Sequence, residues 1–158
     1  MVTWAAFEAE APELAAEGRR LMYSRGDGEA LLATVRGDGL PRIHPVNVGI
    51  IGEALYTFIL ASPKGRDLQE DGRFALHTHQ DPAAPNEFSV RGRARHIEPG
   101  ATRDRVAAEW YFNVDESYAL YELSIESALL GLRNGPDEWP PRYSSWKAPG
   151  TSTEPPGR

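Results

Sequence analysis

Cysteine is absent from this chain of 158 residues. Disulfides, thiolate metal ligands and cysteine nucleophiles are therefore excluded. The chain also lacks a run of about 20 apolar residues, the length of a membrane-spanning helix. Its N-terminal segment does not place a basic region before an apolar run, as a secretion signal does. We therefore expect a cytoplasmic protein without a membrane segment.

Basic residues are fewer than acidic ones. The 17 Lys and Arg residues against 23 Asp and Glu residues leave a net charge of −6, which argues against general nucleic-acid binding. The composition is otherwise that of a globular domain, and the length fits one domain. The end of the chain is rich in Pro, Gly, Ser and Thr. We therefore predict one domain over residues 1–147 and a disordered tail over residues 148–158.

The spacing of apolar residues predicts a mainly β chain with flanking helices. Period-two alternation between turn residues indicates strands, and Asp38-Gly39 is a hairpin signal between the first two. The predicted strands are 29–35, 42–51, 54–60, 73–80, 86–98 and 118–126, with a last short strand within 138–147. The predicted helices are 12–22, a segment from 63 to Asp71-Gly72, and 102–112 with Thr102 as its cap. Turns at this spacing are typical of a small barrel.

The junction between strand 54–60 and the next helix is the clearest candidate site. Ser62 is a good N-cap residue, and Pro63 fits the first helical position. The free backbone N–H groups there carry partial positive charge, to which Lys64 and Arg66 add full charges. Amides and side-chain donors together hold a phosphate at such a junction. The alternative is an ordinary capped helix whose Lys and Arg only face water.

Three sequence segments share a characteristic order. Residues 39–46 read G-L-P-R-I-H-P-V, residues 55–57 and 62–64 read L-Y-T and S-P-K, and residues 72–76 and 90–94 read G-R-F-A-L and V-R-G-R-A. In order and spacing they resemble the FMN-binding split barrel of the pyridoxamine 5′-phosphate oxidase-like superfamily. The resemblance implies a six-stranded antiparallel split β-barrel. It also implies a homodimer that binds flavin at its interface.

The resemblance assigns the phosphate end of the flavin to the junction described above. Ser62 and Lys64 would hold the phosphate, and Arg42 would reach it from the neighbouring strand. Tyr56 and Thr57 would approach the ribityl-phosphate end. These roles are implied by the match of each position to the family motif.

The resemblance places four further residues at the ring and one beside the phosphate. Val46 and Asn47 occupy the strand edge whose backbone contacts the flavin ring in the family, and Glu87 stands where the oxidases place a flavin-contacting amide. Trp146 would approach the site from the partner subunit, or else would close the barrel as a strand aromatic. Arg66 would be a further helper at the phosphate.

The chain departs from the true oxidases at several points. Asn47 replaces a basic residue, and Pro63 replaces the Arg that precedes the phosphate-binding Lys. The Arg- and His-containing signature that holds the vitamin B6 substrate has no match in the C-terminal part, so vitamin B6 oxidation is not expected. A flavin-dependent oxidoreductase of another small molecule is the interpretation that remains, and it needs no assigned catalytic base because the cofactor carries the hydride. Four aromatic residues are either pocket walls or core: Phe58, Trp110, Tyr111 and Tyr121.

Other basic and imidazole side chains leave alternatives open. The cofactor F420 is one, since the alternating Arg91, Arg93 and Arg95 would suit its anionic tail, or would form a solvated, ion-paired face. A non-catalytic flavin- or haem-binding protein is another, with His44, His77 and His79 as candidate haem contacts. His77 and His79 lie on one face of a strand as a metal pair would, without a clear third ligand. The simplest alternative is a small barrel that binds another apolar ligand.

Overall fold

An antiparallel sheet of eight strands forms the body of the protein in a computed structural model, which describes residues 1–150. The strands are β1 Glu29–Val35, β2 Pro41–Asn47, β3 Gly49–Ile51, β4 Ala54–Leu60, β5 Arg73–Thr78, β6 Glu87–Ile97, β7 Tyr118–Leu132 and β8 Arg142–Lys147. The helices are α1 Trp4–Glu10, α2 Pro12–Met22, α3 Pro63–Glu70 and α4 Ala101–Ala108. The prediction of a mainly β chain with flanking helices is confirmed.

The sheet curls back on itself at Val48. The strand order is β2-β1-β5-β6-β7-β4-β3, with β8 paired to β7. The predicted single strand 42–51 is in fact two strands, because β2 pairs with β1 whereas β3 pairs with β4 at the opposite end of the order. Val48 alone joins them, fully buried, with its N–H donated to the Gly28 carbonyl at 2.9 Å. β8 is the last short strand predicted within 138–147, and the division at Val48 raises the seven predicted strands to eight, against the six that the resemblance implies.

The core lies inside the curl and beneath the N-terminal helices. Helix α1 was not predicted; it begins after Thr3, whose hydroxyl accepts from the Ala6 N–H at 3.3 Å. Its buried Trp4 and Phe7 meet edge to face at 5.3 Å between ring centroids, and both contact Phe88 of β6. A smaller second cluster lies beneath α4 and contains Phe58 and Trp110.

Strand β7 extends six residues beyond its predicted end at Glu126, because a β-bulge interrupts its alternation there. Arg91 pairs with Ser127, but the next residue, Gly92, pairs with Ile125, so Glu126 is the extra residue. The alternating buried positions on either side of the bulge are 121, 123 and 125 before it and 128 and 130 after it, so the alternation changes from odd to even numbers. A search for strict alternation therefore ends at the bulge.

Two predicted boundaries differ from the structure. Helix α4 follows Gly100 without a side-chain cap, and it ends at Ala108 instead of Phe112; Thr102 does not cap it. The N–H of the buried Ala148 donates to the Glu126 carbonyl at 2.8 Å, so contacts with the barrel continue one residue past the predicted domain end. Residues 151–158 of the predicted tail lie outside the described residues.

Candidate functional site

The predicted capped junction between β4 and α3 is confirmed. The Ser62 hydroxyl accepts from the Gly65 N–H at 3.4 Å, and Pro63 is the first helical residue. The Arg66 N–H donates to the Ser62 carbonyl at 3.2 Å. The start of α3 is thus held rigidly at the end of β4.

A buried carboxylate ties this helix to the first two strands. Asp67 is 6% exposed; it accepts from the Thr34 hydroxyl at 2.8 Å and from the Arg42 Nε at 3.0 Å. Burial raises the pKa of Asp67, but the hydrogen bonds from Thr34 and Arg42, with the charges of Arg42 and Arg36, outweigh it and leave the pKa below its ordinary value. Arg42 therefore reaches α3, as the resemblance implies, and meets a carboxylate there.

Two more basic side chains lie beside this pair. Burial, and then the charges of Lys64 and Arg42, lower the pKa of His44 below its ordinary 6.5, and Asp67 offsets only part of this. The buried Nε2 of His44 has no hydrogen-bond partner within residues 1–150. Arg42, His44 and Lys64 form what we call the basic cluster. Asp67 pairs with Arg42, and its charge also acts on His44.

The predicted ribityl-phosphate contacts are buried in the walls of the barrel. Thr57 is fully buried, and its hydroxyl donates to the Asn47 carbonyl at 2.8 Å. The Asn47 amide donates to the Gly28 carbonyl at 3.4 Å. Tyr56 is 3% exposed and belongs to the second core cluster, while Val46 packs against the main core. The hydrogen bond between Thr57 and Asn47 joins β4 to the end of β2.

A cavity of about 470 Å³ opens on another side of α3. Ser62 and Arg66 line it, together with Tyr121, whose hydroxyl donates to the Gly65 carbonyl at 3.2 Å. Arg42 and Lys64 are not among its lining residues. Helix α3 therefore separates the predicted phosphate contacts into two groups. Of the predicted pocket walls Tyr121 lines this cavity, whereas Phe58, Trp110 and Tyr111 pack with one another.

Val46 and Asn47, predicted to meet the flavin ring, lie on β2, and the other two predicted ring contacts, Glu87 and Trp146, lie on β6 and β8. Glu87 Oε2 is 3.5 Å from the His77 Nε2. Trp146 packs on Phe7 with 4.9 Å between ring centroids, and its indole N–H donates to Glu10 at 3.0 Å. Within one chain Trp146 therefore closes the barrel against α1.

The predicted histidine pair and the arginines of β6 differ in their hydrogen-bond and ion-pair partners. The His77 Nδ1 is 2.6 Å from the Thr78 carbonyl, and residues 1–150 contain no cluster of three side chains suited to a metal. Arg93 donates to the Asp71 carbonyl at 3.2 Å, and Arg95 pairs with Glu122 at 3.2 Å. Arg91 has no such partner in the described part of the chain.

Sequence reasoning missed Asp67. It lies in a polar octapeptide, P-K-G-R-D-L-Q-E, in which an aspartate looks exposed. Its burial depends on Thr34 and Arg42, which lie 33 and 25 residues earlier in the chain. Spacing along the sequence carries no signal for such a contact.

Structural comparison identifies the fold. The heme binding protein from Mycobacterium smegmatis superposes with a TM-score of 0.60 at 23% identity, over 84% of this chain and 57% of that one. A Listeria innocua protein provisionally named pyridoxamine 5′-phosphate oxidase gives 0.56 at 17% identity, over 71% and 94%. An F420 reductase gives 0.50 at 22% identity, over 63% and 87%.

The chain thus spans 57% of the length of the Mycobacterium smegmatis protein. No protein-family model matches the sequence, and no curated protein matches it significantly. None of the helices within residues 1–150 is long and apolar enough to cross a membrane. The open antiparallel sheet with flanking helices is the FMN-binding split-barrel fold.

Proposed function

We propose that this protein binds FMN between two copies of the chain and is a flavin-dependent oxidoreductase of a small molecule. The basic cluster at the start of α3 carries the proposal. Arg42 pairs there with one carboxylate, and His44 and Lys64 lie beside it at the positive end of the α3 dipole. His44 is neutral at pH 7 because its pKa lies below 6.5, so two cations stand against one carboxylate, and the remaining positive charge attracts a phosphate.

The side chains of the basic cluster fit a phosphate. Asp67 engages the Nε of Arg42, which leaves the outer guanidinium nitrogens available as donors. Lys64 has no ion pair within residues 1–150, and the orphaned Nε2 of His44 gains a partner when an anion is present. Charge-assisted hydrogen bonds of this kind are about twice as strong as neutral ones. Asp67 competes with the phosphate for Arg42 and thereby limits the affinity.

When bound, the flavin supplies hydride transfer. The chain holds the phosphate through Arg42 and Lys64. Glu87, beside His77, provides a carboxylate at the position that meets the ring in the family. The hydrogen bond from the buried Thr57 hydroxyl to the Asn47 carbonyl joins β4 to the end of β2, the strand that carries Arg42 and His44.

Alanine at Lys64 tests the phosphate assignment. We expect Lys64→Ala to weaken FMN binding by about 1.5–3 kcal/mol, roughly 10- to 150-fold, because a charged hydrogen bond is lost. Quenching of flavin fluorescence in a titration measures the FMN affinity. Arg66→Ala, on another side of the same helix, is the matched control and should change the affinity little. Unchanged affinity in Lys64→Ala, with a loss in Arg66→Ala, would place the phosphate in the 470 Å³ cavity instead.

The outer face of β1 and β2 supports the proposed dimer. Alternate residues of β1 are buried; the other four are partly exposed, and three of them, Leu31, Ala33 and Val35, are apolar. Ile43 of β2 pairs with Ala33 and is 65% exposed. A two-fold axis that brings two such faces together removes the apolar surface of both from water. We infer a homodimer through this face.

A charge on this face should break the dimer. Ile43→Asp is expected to yield a monomer, since an aspartate buried between two apolar faces loses its hydration. Light scattering after size exclusion measures the mass. Leu40→Asp replaces an equally exposed apolar residue in the β1–β2 turn and should leave the dimer intact. A monomeric native protein, or a dimeric Ile43→Asp variant, contradicts the inference.

F420 is a second candidate cofactor, because Arg91 lies without a partner in residues 1–150 and an F420 reductase shares the fold. The absorbance spectrum of the purified protein separates the candidates. We expect the bands of FMN, with FMN released on heating and identified by mass spectrometry. A colourless protein that binds F420 tightly would replace the first proposal with the second. A Soret band on haem titration would support the haem-binding alternative.

A further inference from the structure

A small groove of about 150 Å³ crosses the outer face of β6, β7 and β8. Five polar side chains line it: Ser89, Arg91, Ser127, Ser145 and Lys147. Their positions follow from the register of the sheet. Arg91 pairs with Ser127, which pairs with Lys147, and one row further on Ser89 and Ser145 flank Leu129.

In the part of the chain that the structure describes, the two cations of the groove lack acidic partners. Within residues 1–150, neither Arg91 nor Lys147 takes part in a salt bridge or a side-chain hydrogen bond. The neighbouring arginines of the same strand differ, because Arg93 and Arg95 are each bound to an oxygen of the protein. Arg91 is therefore set apart from the strip that the sequence pattern indicated.

The spacing of the strands lets both cations reach one ligand group. Arg91 and Lys147 lie two strands apart, about 10 Å between their backbones, and both side chains are long and flexible. Ser127 lies between them with a hydroxyl that donates to an anion. Arg91 supplies a planar fork that matches a carboxylate or a phosphate. Two like charges that face each other in this way are stabilised when an anion lies between them.

The groove is large enough for one charged group of a ligand, but not for a whole cofactor. Its volume is well below the roughly 300 Å³ at which pockets for complete small molecules begin. Leu129 and Trp146 line it beside the polar residues and offer apolar contact to the carbon body of a ligand. A charged group on an organic molecule is the ligand that matches both features.

We propose that this groove binds the carboxylate or phosphate group of a small-molecule ligand. It is separate from the basic cluster, which lies on β2 and α3, so the inference goes beyond the proposed function and holds with or without FMN. In a flavin enzyme the ligand is a substrate with an anionic group. In an F420 protein it is the cofactor's anionic tail.

Inorganic phosphate is the probe for the groove. In an NMR titration of the full chain, we expect saturable shifts at the amides of residues 89–91, 127 and 145–147. Arg91→Gln should weaken this response about tenfold or more, as expected when a charged hydrogen bond is lost. Arg93→Gln removes a charge from the same face of the same strand and is the control that should leave the response unchanged. Lys147→Gln serves as a second test, because it lies on another strand.

The variants separate this inference from the flavin proposal. Lys64→Ala should weaken the phosphate-induced shifts at the basic cluster and leave those of the groove unchanged. The absence of groove shifts, or equal losses in Arg91→Gln and Arg93→Gln, overturns the inference and leaves the phosphate site of the basic cluster untouched.

Competition identifies the source of the anionic group. If phosphate displaces F420 and this competition requires Arg91, the groove binds the F420 tail. If phosphate shifts the amide signals of the groove without displacing FMN or F420, the groove binds a substrate. If phosphate displaces FMN and this competition requires Arg91, the flavin phosphate lies in the groove. That result would overturn the inference that the groove and the basic cluster are separate sites.

Discussion

Gly92→Ala is expected to cost about 4 kcal/mol or more of the free energy of unfolding, a loss reserved for severe steric conflicts. A Cβ atom at this position would lie 1.8 Å from the Ser124 carbonyl oxygen and 2.9 Å from its carbon. Both are backbone atoms of β7, so no side-chain rotation relieves the clash. The extra residue Glu126 brings the two strands together at this point.

The loss matters because β6 and β7 form the centre of the sheet. Their pairing extends over the whole of β6, from Glu87 to Ile97. A small domain has only about 5–15 kcal/mol of stability, so the variant should be largely unfolded or sharply shifted in urea denaturation. Gly135→Ala is the control: a Cβ there meets nothing within 4 Å, and its stability should stay within about 0.5 kcal/mol of the native protein. A Gly92→Ala protein as stable as this control would refute the bulge geometry.

Asp67→Asn is expected to lower stability and to tighten FMN binding. The carboxylate is buried, and its removal leaves Arg42 without its ion-pair partner. Breaking a fully buried pair costs about 3–5 kcal/mol; the Arg42 side chain is 31% exposed, so we expect about 1–3 kcal/mol. Urea denaturation measures this change.

The same substitution removes the competitor for the phosphate. Arg42 is then free to bind an anion, and the basic cluster gains one unit of net positive charge. We expect FMN affinity to rise about tenfold, the scale of one charged hydrogen bond. Thr34→Val is the matched control, because it removes the neutral hydrogen bond to Asp67 and keeps the charge; it should lower stability without raising affinity. Weaker FMN binding in Asp67→Asn would mean that the phosphate does not use Arg42.

Asp67 also contributes to the pH dependence of stability. Its pKa is lower in the folded protein than its ordinary 3.8. Its contribution is therefore present above about pH 3.8 and is lost as the pH falls through the lowered folded-state pKa. In Asp67→Asn, the loss of stability that comes from protonating Asp67 at low pH should be absent.

Local signals identified most of the elements. Alternation marked the central strands, and the Asp38-Gly39 pair marked the β1–β2 turn, where Gly39 has a φ of +83°. Ser62 and Pro63 marked the start of α3. Each of these signals is a property of neighbouring residues, which is why the sequence alone was sufficient.

Contacts between distant residues decided the rest. The division of strand 42–51 at Val48 depends on which strands lie on either side, and the bulge at Glu126 depends on the register of β6. Helix α1 was missed because its burial rests on Phe88 of β6.

The sequence by itself determined where a cation meets a capped helix and which fold carries that junction, because both follow from short-range geometry and the order of motifs. Only the tertiary structure decided that Asp67 faces Arg42, that α3 separates Lys64 from Arg66, and that Arg91 and Lys147 line one groove on either side of β7. The physical reason is that the free energy of a buried charge or an unpaired cation depends on the atoms around it in space. Those atoms come from segments that are far apart in the chain.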